Sequence, residues 1–151
     1  MTLIERELFK ATARTFEEAA FLLPEEEPGP EHLSAPPEAS AVVEFEGPLK
    51  GRLVINCYGS LLPVLAANML GSEECTELET QKDALREVAN VICGNTLPRI
   101  AGSSSSFHIQ TPLVLEPGAP FPTDEEAGEP TASVCIGLEG GRVEVQLFLK
   151  S

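Results

Sequence analysis

Apolar side chains recur at steps of three and four residues at the start of the chain, which is the spacing of one buried helix face. The positions on this face are Phe9, Ala13, Phe16, Ala20 and Leu23. Thr2 and Glu5 fit a capping box, in which each side chain bonds the backbone N–H of the other residue. The pattern predicts a helix from Thr2 to about Leu23, which stops at Pro24.

Apolar and polar residues alternate in later stretches, as in strands with one buried face. Residues 43–46 and 53–57 alternate on either side of a turn that is rich in glycine and proline. Residues 107–115 are predicted to form a further strand. Residues 134–138 and 143–149 predict a closing hairpin around Gly140 and Gly141.

Two more helices are predicted between these strands. Ser60 caps the first, which ends at Gly71, and residues 76–83 lead into the second. Two segments rich in proline and glutamate, residues 24–39 and 116–132, are predicted to be solvated connections. The element order therefore predicts an α+β fold: a mainly antiparallel sheet with two long helices packed on it.

Length and charge narrow the class of protein. A length of 151 residues is typical of one domain, so we expect a single domain over residues 1–151. An apolar fraction of 42% is enough to form one hydrophobic core. With 24 acidic and 10 basic residues, the formal charge of −14 excludes nucleic-acid phosphates as partners and opposes binding to anionic membranes. The charged N-terminus lacks the apolar run of a signal peptide, and no apolar stretch is long enough to cross a bilayer. We therefore expect a soluble cytoplasmic domain.

Cofactor and nucleophile motifs are missing from the sequence. The four cysteines, at 57, 75, 93 and 135, show no paired spacing, which favours reduced thiols over a zinc site or a disulfide. The serine run 103–106 has no phosphate-binding glycine loop, and no serine lies in a nucleophile elbow. The acidic run 73–79 lacks EF-hand spacing. We expect no metal and no cofactor of its own.

The stretch at residues 81–97 carries the candidate chemistry. On a helical wheel the core stripe consists of Ala84, Leu85, Val88, Val91 and Ile92, and the opposite side carries Asp83, Glu87, Asn90 and Gly94. A glycine costs a helix up to about 1 kcal/mol relative to alanine, and Asn90 is a poor helix former at an interior position. Two poor helix formers on one exposed face indicate a functional site, because they do not serve the stability of the helix. A glycine there would let a partner approach the backbone closely. A solvated helix face that ends at Gly94 and Asn95 remains the alternative.

The string Asp83-x-x-x-Glu87-x-x-Asn90, followed by Gly94-Asn95, resembles the signature helix of the CheC/CheX/FliY family of chemotaxis phosphatases. The predicted element order matches that family over nearly the whole chain, and residues 111–118 (TPLVLEPG) resemble its proline-bearing strand. The single Glu-x-x-Asn motif resembles the CheX-like branch, since CheC-like members usually carry two. Pro98 is a departure, because a proline so close to the motif is expected to end or kink the helix.

The resemblance implies a phosphatase for a phosphorylated CheY-like receiver domain, which holds its own Mg²⁺. Asn90 would orient the attacking water, as a glutamine does in GTPases, and Glu87 would pair with a receiver lysine. Asp83, Arg86 and Gly94 would contact the partner around them. Cys93 beside the motif is read as a packed residue.

Two rival functions stay open on the sequence: an adapter that binds a regulator or flagellar-switch component on the same fold, and an interaction domain whose Glu-x-x-Asn is accidental. Charge is a difficulty, because the receiver's own site is acidic. Lys82 and Arg86 lie beside the Glu87 stripe, where they would either soften that repulsion or serve only as surface charges. A homodimer is also expected, because CheX-like proteins dimerise through their sheets and residues 142–149 are predicted to form an open edge strand.

Overall fold

The computed structural model describes residues 1–25, 28–71, 77–117 and 129–150. Its helices are α1 (Leu3–Ala20), α2 (Pro30–Leu33), α3 (Leu61–Leu70) and α4 (Leu78–Ala101). Its strands are β1 (Pro37–Glu46), β2 (Lys50–Tyr58), β3 (His108–Ile109), β4 (Leu113–Leu115), β5 (Ala132–Leu138) and β6 (Gly141–Lys150). The predicted α+β class and single domain architecture are confirmed.

All six strands belong to one antiparallel sheet in the order β3-β1-β2-β6-β5, and β4 also pairs with β1. Strand β6 is paired with β2 on one side and with β5 on the other. The prediction that residues 142–149 form an open edge is therefore wrong. The edges of the sheet are β5 at one end and β3 and β4 at the other.

The long helices pack on one face of the sheet. Every second side chain of the strands points to this face and is buried against the helices. The core is formed by side chains of both layers. The sheet contributes Phe45, Leu53, Ile55, Val143 and Val145, and the helices contribute Phe16, Leu85 and Ile92. Helix α1 runs antiparallel to α4, as the ion pair between Arg99 Nη1 and Glu7 Oε2 at 3.2 Å shows together with the packing of residues 14–19 beside residues 91–95. Burial of these side chains is the main term that stabilises the fold.

Helix α1 begins with the predicted capping box, in which Thr2 and Glu5 exchange backbone-to-side-chain hydrogen bonds of 3.1 Å. Its buried face is rotated from the prediction, however, and Leu23 lies beyond the helix and is 79% exposed. Thr12 and Thr15 take buried positions because their hydroxyls donate to the carbonyls one turn earlier, at 2.8 and 2.7 Å. A satisfied threonine can occupy a core position that an apolar pattern does not reveal.

The segment 24–39 is not merely a solvated connection, and that prediction is wrong for its described part. Glu25 forms an antiparallel bridge with Gly137 of β5, and strand β1 already begins at Pro37. Helix α2 lies between them and carries His32, which is only 2% exposed. Proline and glutamate density did not prevent packing here, because backbone and imidazole hydrogen bonds attach the segment to the sheet.

Helix α3 has a different cap from the predicted one. Ser60 is at the N-cap position but makes no side-chain capping bond. The Glu38 carboxylate of β1 accepts instead from the backbone N–H groups of Leu61 and Leu62, at 2.8 and 3.2 Å. Burial raises the pKa of Glu38, and these two hydrogen bonds oppose the rise. The cap comes from a strand 23 residues away, so no local pattern could have revealed it.

The strand predicted at residues 107–115 is divided into β3 and β4, which both pair with β1. Pro112 separates them, because proline has no N–H to donate to a strand ladder. The closing hairpin is confirmed, although β5 begins at Ala132, inside the predicted acidic loop. Most of that loop, residues 118–128, lies outside the described residues.

Candidate functional site

Helix α4 presents the predicted core stripe to the sheet with one exception. Ala84, Leu85, Val88 and Ile92 are buried as expected, and Ala89, Cys93, Thr96 and Leu97 widen the buried side. Val91 was assigned to the core, but it is only half-buried and borders a groove between α4 and α1. The helix does not end at Pro98 but continues to Ala101.

The opposite side of α4 carries the α4 ridge, which we define as Asp83, Glu87, Asn90 and Gly94. The three side chains are exposed, and Gly94 is half-buried. Residues three and four apart on a helix are neighbours, so the Glu87 carboxylate and the Asn90 amide lie within one turn of each other. Within the described part of the chain, neither makes a hydrogen bond or an ion pair. Both groups are therefore available to a partner.

The cations beside the ridge are already paired along the helix. Arg86 Nη1 donates to Asp83 Oδ1, and Lys82 Nζ lies 3.8 Å from Glu79 Oε1. Exposed pairs of this kind contribute only about 0.2–1 kcal/mol, so both can rearrange when a partner arrives. The predicted partner-binding residues Asp83 and Arg86 thus occupy the ridge and its flank as a weak ion pair.

Packing among the described residues does not require a glycine at position 94. A Cβ atom built on it meets no atom within 4 Å. Pro98 lies four residues later and has no N–H, so the usual helical hydrogen bond to the Gly94 carbonyl does not form. The ridge thus has a position without a side chain, where the backbone carbonyl lacks its usual donor.

Cys93 lies next to the ridge but faces the core. It is fully buried, and burial raises the pKa of its thiol to about 12. A thiol with so high a pKa stays protonated near neutral pH and is a poor nucleophile. Cys93 is thus a packed residue, and that prediction is confirmed.

The described residues contain no other cluster that could supply chemistry. Cys57, Cys93 and Cys135 are free, and no group of three or more metal-binding side chains occurs among the residues described. Cys75 lies outside them. The side chain of His32 in α2 is buried, and His108 is exposed on β3. No helix in the described ranges is both long enough and apolar enough for a membrane span.

The groove that borders Val91 is one feature that the sequence did not reveal. An open groove of about 320 Å³ lies there between α1 and α4, directly beside the ridge. Its lining residues are far apart in sequence, and only the antiparallel packing of the two helices brings them together.

Comparison with known proteins supplies the family. The family model for the chemotaxis phosphatase CheX matches residues 39–131. The chain is similar to a crystal structure of CheX from Desulfovibrio desulfuricans, with 21% identity, coverage of 99% of this chain and 100% of that one, and a TM-score of 0.76.

Two further solved structures share the fold. CheX from Vibrio vulnificus is 16% identical, with coverage of 99% and 97% of the two chains and a TM-score of 0.75. The CheX–CheY–BeF3–Mg²⁺ complex from Borrelia burgdorferi is 16% identical, with coverage of 97% of each chain and a TM-score of 0.63. No curated protein sequence gives a significant match. Because the family model covers more than half of its residues, this chain belongs to the CheX family of chemotaxis phosphatases.

Proposed function

We propose that this protein dephosphorylates a CheY-like response regulator in the cytoplasm by inserting the α4 ridge into the regulator's phosphorylation site. Membership of the CheX family supports the reaction class, and the Borrelia burgdorferi relative is seen in complex with CheY. The observation that carries the proposal is the Glu87–Asn90 pair. Its polar groups lie on one exposed turn of a well-buried helix and find no partner among the described residues.

Asn90 acts on the water. A phosphoaspartate is an acyl phosphate, so its hydrolysis needs an aligned nucleophile more than a strong base. The Asn90 amide can accept from a water with its oxygen and donate with its nitrogen, which fixes the water in line with the phosphorus. The rigid helix beneath holds this amide in place, and positioning of that kind lowers the entropic part of the barrier.

Glu87 holds the two proteins in register. It lies one turn before Asn90, and its exposed carboxylate is free to pair with a lysine of the receiver. The proposal needs no general base and no metal on this chain, because the receiver supplies the Mg²⁺ that neutralises the phosphoryl charge.

The distribution of charge answers the difficulty that the net charge of −14 raised. Helices α1 and α4 together carry seven acidic and six basic side chains, so they contribute only −1 to that total. The excess of acid belongs to the strands and connections. The helix layer that carries the ridge is therefore nearly neutral, and an acidic receiver site can approach it without strong repulsion.

Asn90→Ala tests the chemistry separately from docking. The variant should lower the single-turnover rate at saturating protein on the order of 10²-fold or more, because it removes the group that positions the water. Affinity for a beryllofluoride-loaded receiver should stay close to that of the wild type, since the lost interaction forms mainly in the transition state. The measurement is a time course of phosphate loss from a phosphorylated receiver.

Asn56→Ala is the matched control. It makes the same change on β2, where Asn56 points to the sheet face opposite α4, and it should hydrolyse at the wild-type rate. Circular dichroism checks the fold of both variants. If folded Asn90→Ala were as fast as the wild type, the mechanism would be wrong; if the wild type bound the receiver without hydrolysis, the adapter function would replace it.

A homodimer is also part of the proposed state of the protein, although β6 does not provide the edge for it. The outer edge of β4 and the part of β5 before Gly137, where the bridge to Glu25 forms, are the candidates, since an unpaired edge presents backbone groups to another strand. Light scattering at tens of micromolar should return twice the mass of the 16.1 kDa chain. A monomer mass at that concentration would contradict this expectation.

A further inference from the structure

The α1–α4 groove lies beside the ridge on the side of α1. It is lined by Arg14 and Glu18 of α1 and by Val91, Asn95 and Arg99 of α4, among others. Its volume of about 320 Å³ is enough for one or two side chains but small for a drug-sized ligand. Polar and apolar atoms share the surface, so the groove suits an amphipathic protein segment.

The groove and the ridge form one continuous surface. Val91 follows Glu87 by one helical turn, and Asn95 is the next residue after Gly94. Gly94 is the ridge residue next to Asn95 of the groove. It presents no side chain, and no described residue fills the space above it. A partner bound at Asn90 can therefore extend across Gly94 into the groove.

Two guanidinium groups, those of Arg14 and Arg99, place positive charge at the groove of a chain that has few basic residues. Arg14 Nε donates to Glu18 Oε1 at 3.1 Å, and Arg99 Nη1 donates to Glu7 Oε2 at 3.2 Å. A guanidinium has five donors, so most of the donors of both arginines are unused within the described chain. The Arg14–Glu18 pair is exposed on both sides and is easily exchanged for a partner's carboxylate.

We propose that the α1–α4 groove is a second contact for the receiver, in which Arg14 exchanges Glu18 for a carboxylate of the receiver bound at the ridge. This inference rests on the proposed function. A domain that carries a phosphoaspartate and holds Mg²⁺ needs carboxylate ligands, so the surface around that site is acidic. Arg14 is a specificity contact and not a catalytic residue, because it touches the partner away from the phosphorus.

Two substitutions of opposite sign test the exchange. Arg14→Gln removes the cation and should weaken binding of a beryllofluoride-loaded receiver about threefold, whereas Glu18→Gln frees the cation and should tighten it by a similar factor. Titration calorimetry against a panel of CheY-like receivers from the same organism measures both. The two effects should shrink as salt is raised from 50 to about 500 mM, because they are electrostatic.

Each variant has a control on the same helix with the same change of charge. Arg6→Gln matches Arg14→Gln, and Glu17→Gln matches Glu18→Gln; both control residues are exposed and do not line the groove. If the controls shift the affinity as much as the test variants do, the effect is one of net charge and the groove contact is overturned. If Arg14→Gln instead lowers the mass in light scattering and leaves the affinity unchanged, the groove binds a second copy of this chain and the proposal is wrong.

Failure of the proposed function has a separate signature. It shows in the wild type, which would then neither bind nor dephosphorylate any receiver of the panel, and the groove contact would fall with it. A wild type that binds and hydrolyses, together with an Arg14→Gln variant equal to Arg6→Gln, would overturn the groove contact alone.

Discussion

The α4 ridge and the corner where α2 meets β6 use polar residues in opposite ways. On the ridge, Glu87 and Asn90 are exposed and unpaired within the described chain. In the α2–β6 corner, which we define as His32, Tyr58, Arg142 and Glu144, polar groups are paired with one another or with backbone. Polar residues on an exposed face that the fold does not use are available to a partner.

The imidazole of His32 shows how complete the pairing is in the corner. Its Nδ1 accepts from the Gly29 N–H at 2.8 Å, so its Nε2 carries the proton and donates to the Glu139 carbonyl at 2.9 Å. Both ring nitrogens are thus satisfied in the neutral form. This arrangement attaches the short helix α2 to the end of the sheet.

Arg142 completes the corner from β6. Its guanidinium donates to the carbonyls of His32 and Leu33, and its Nε donates to Glu144, all at 2.9 Å. It also stacks 3.7 Å from the centre of the Tyr58 ring. In an acidic chain with few cations, this arginine has a structural role, whereas Arg14 keeps most of its donors free.

Two glycines make the same contrast in its simplest form. A Cβ built on Gly137 of β5 lies 2.9 Å from Nδ1 of the buried His32, so the fold has no room for a side chain there. A Cβ built on Gly94 meets nothing within 4 Å. Gly137 is required by internal packing, whereas packing among the described residues does not require a glycine at position 94.

The largest effect is expected at Glu87. Glu87→Lys would place two like charges in contact at the interface, which costs several kcal/mol of binding free energy. Affinity for a beryllofluoride-loaded receiver should collapse in a titration, while the thermal unfolding midpoint stays near that of the wild type because Glu87 has no partner among the described residues. Glu17→Lys makes the same change on α1 as a control, and equal loss in both variants would remove Glu87 from the interface.

A smaller effect, of a different kind, is expected at Gly137. Gly137→Ala forces the His32 ring to move from a site where both nitrogens are bonded, and overpacking of this type costs about 1–3 kcal/mol. The free energy of unfolding from a urea titration should fall by that amount. Receiver affinity of the folded fraction should be unchanged. A stable variant with weakened binding would break the division between the corner and the ridge.

The same division explains how much could be read from the sequence. The strands of both hairpins, the capping box at Thr2 and the ridge on α4 follow from local spacing, because neighbours along the chain determine them. The Glu38 cap, the packing of His32 and the α1–α4 groove depend on residues brought together from distant segments. The position of a strand at the edge or in the middle of a sheet also depends on distant segments. Strand β6 is an inner strand because β2, far away in sequence, pairs with the side that β5 leaves open.

The family resemblance added the expected roles of Glu87 and Asn90, which residue spacing alone could not predict. Charge and periodicity alone left a solvated face as an open explanation of Glu87 and Asn90. The structure adds that both side chains lack partners within the described chain and that Gly94 has open space above it. Their roles toward a receiver stay predictions until the variants are measured.

The smallest effect, at Gly94, should have opposite signs in stability and in binding. The methyl group of Gly94→Ala meets no atom of the described residues and the substitution replaces a poor helix former, so the free energy of unfolding should rise by about 0.5–1 kcal/mol. The added methyl group enters the space through which the receiver approaches, and the binding free energy should weaken by about 1 kcal/mol or more.

Gly140→Ala, which also has open space around its Cβ but lies in the β5–β6 turn, is the control and should leave receiver affinity unchanged. Urea unfolding and calorimetry on the same samples separate the two effects. If Gly94→Ala stabilised the helix without weakening the complex, Gly94 would be an ordinary helix residue, and close approach of the partner at this point would be excluded.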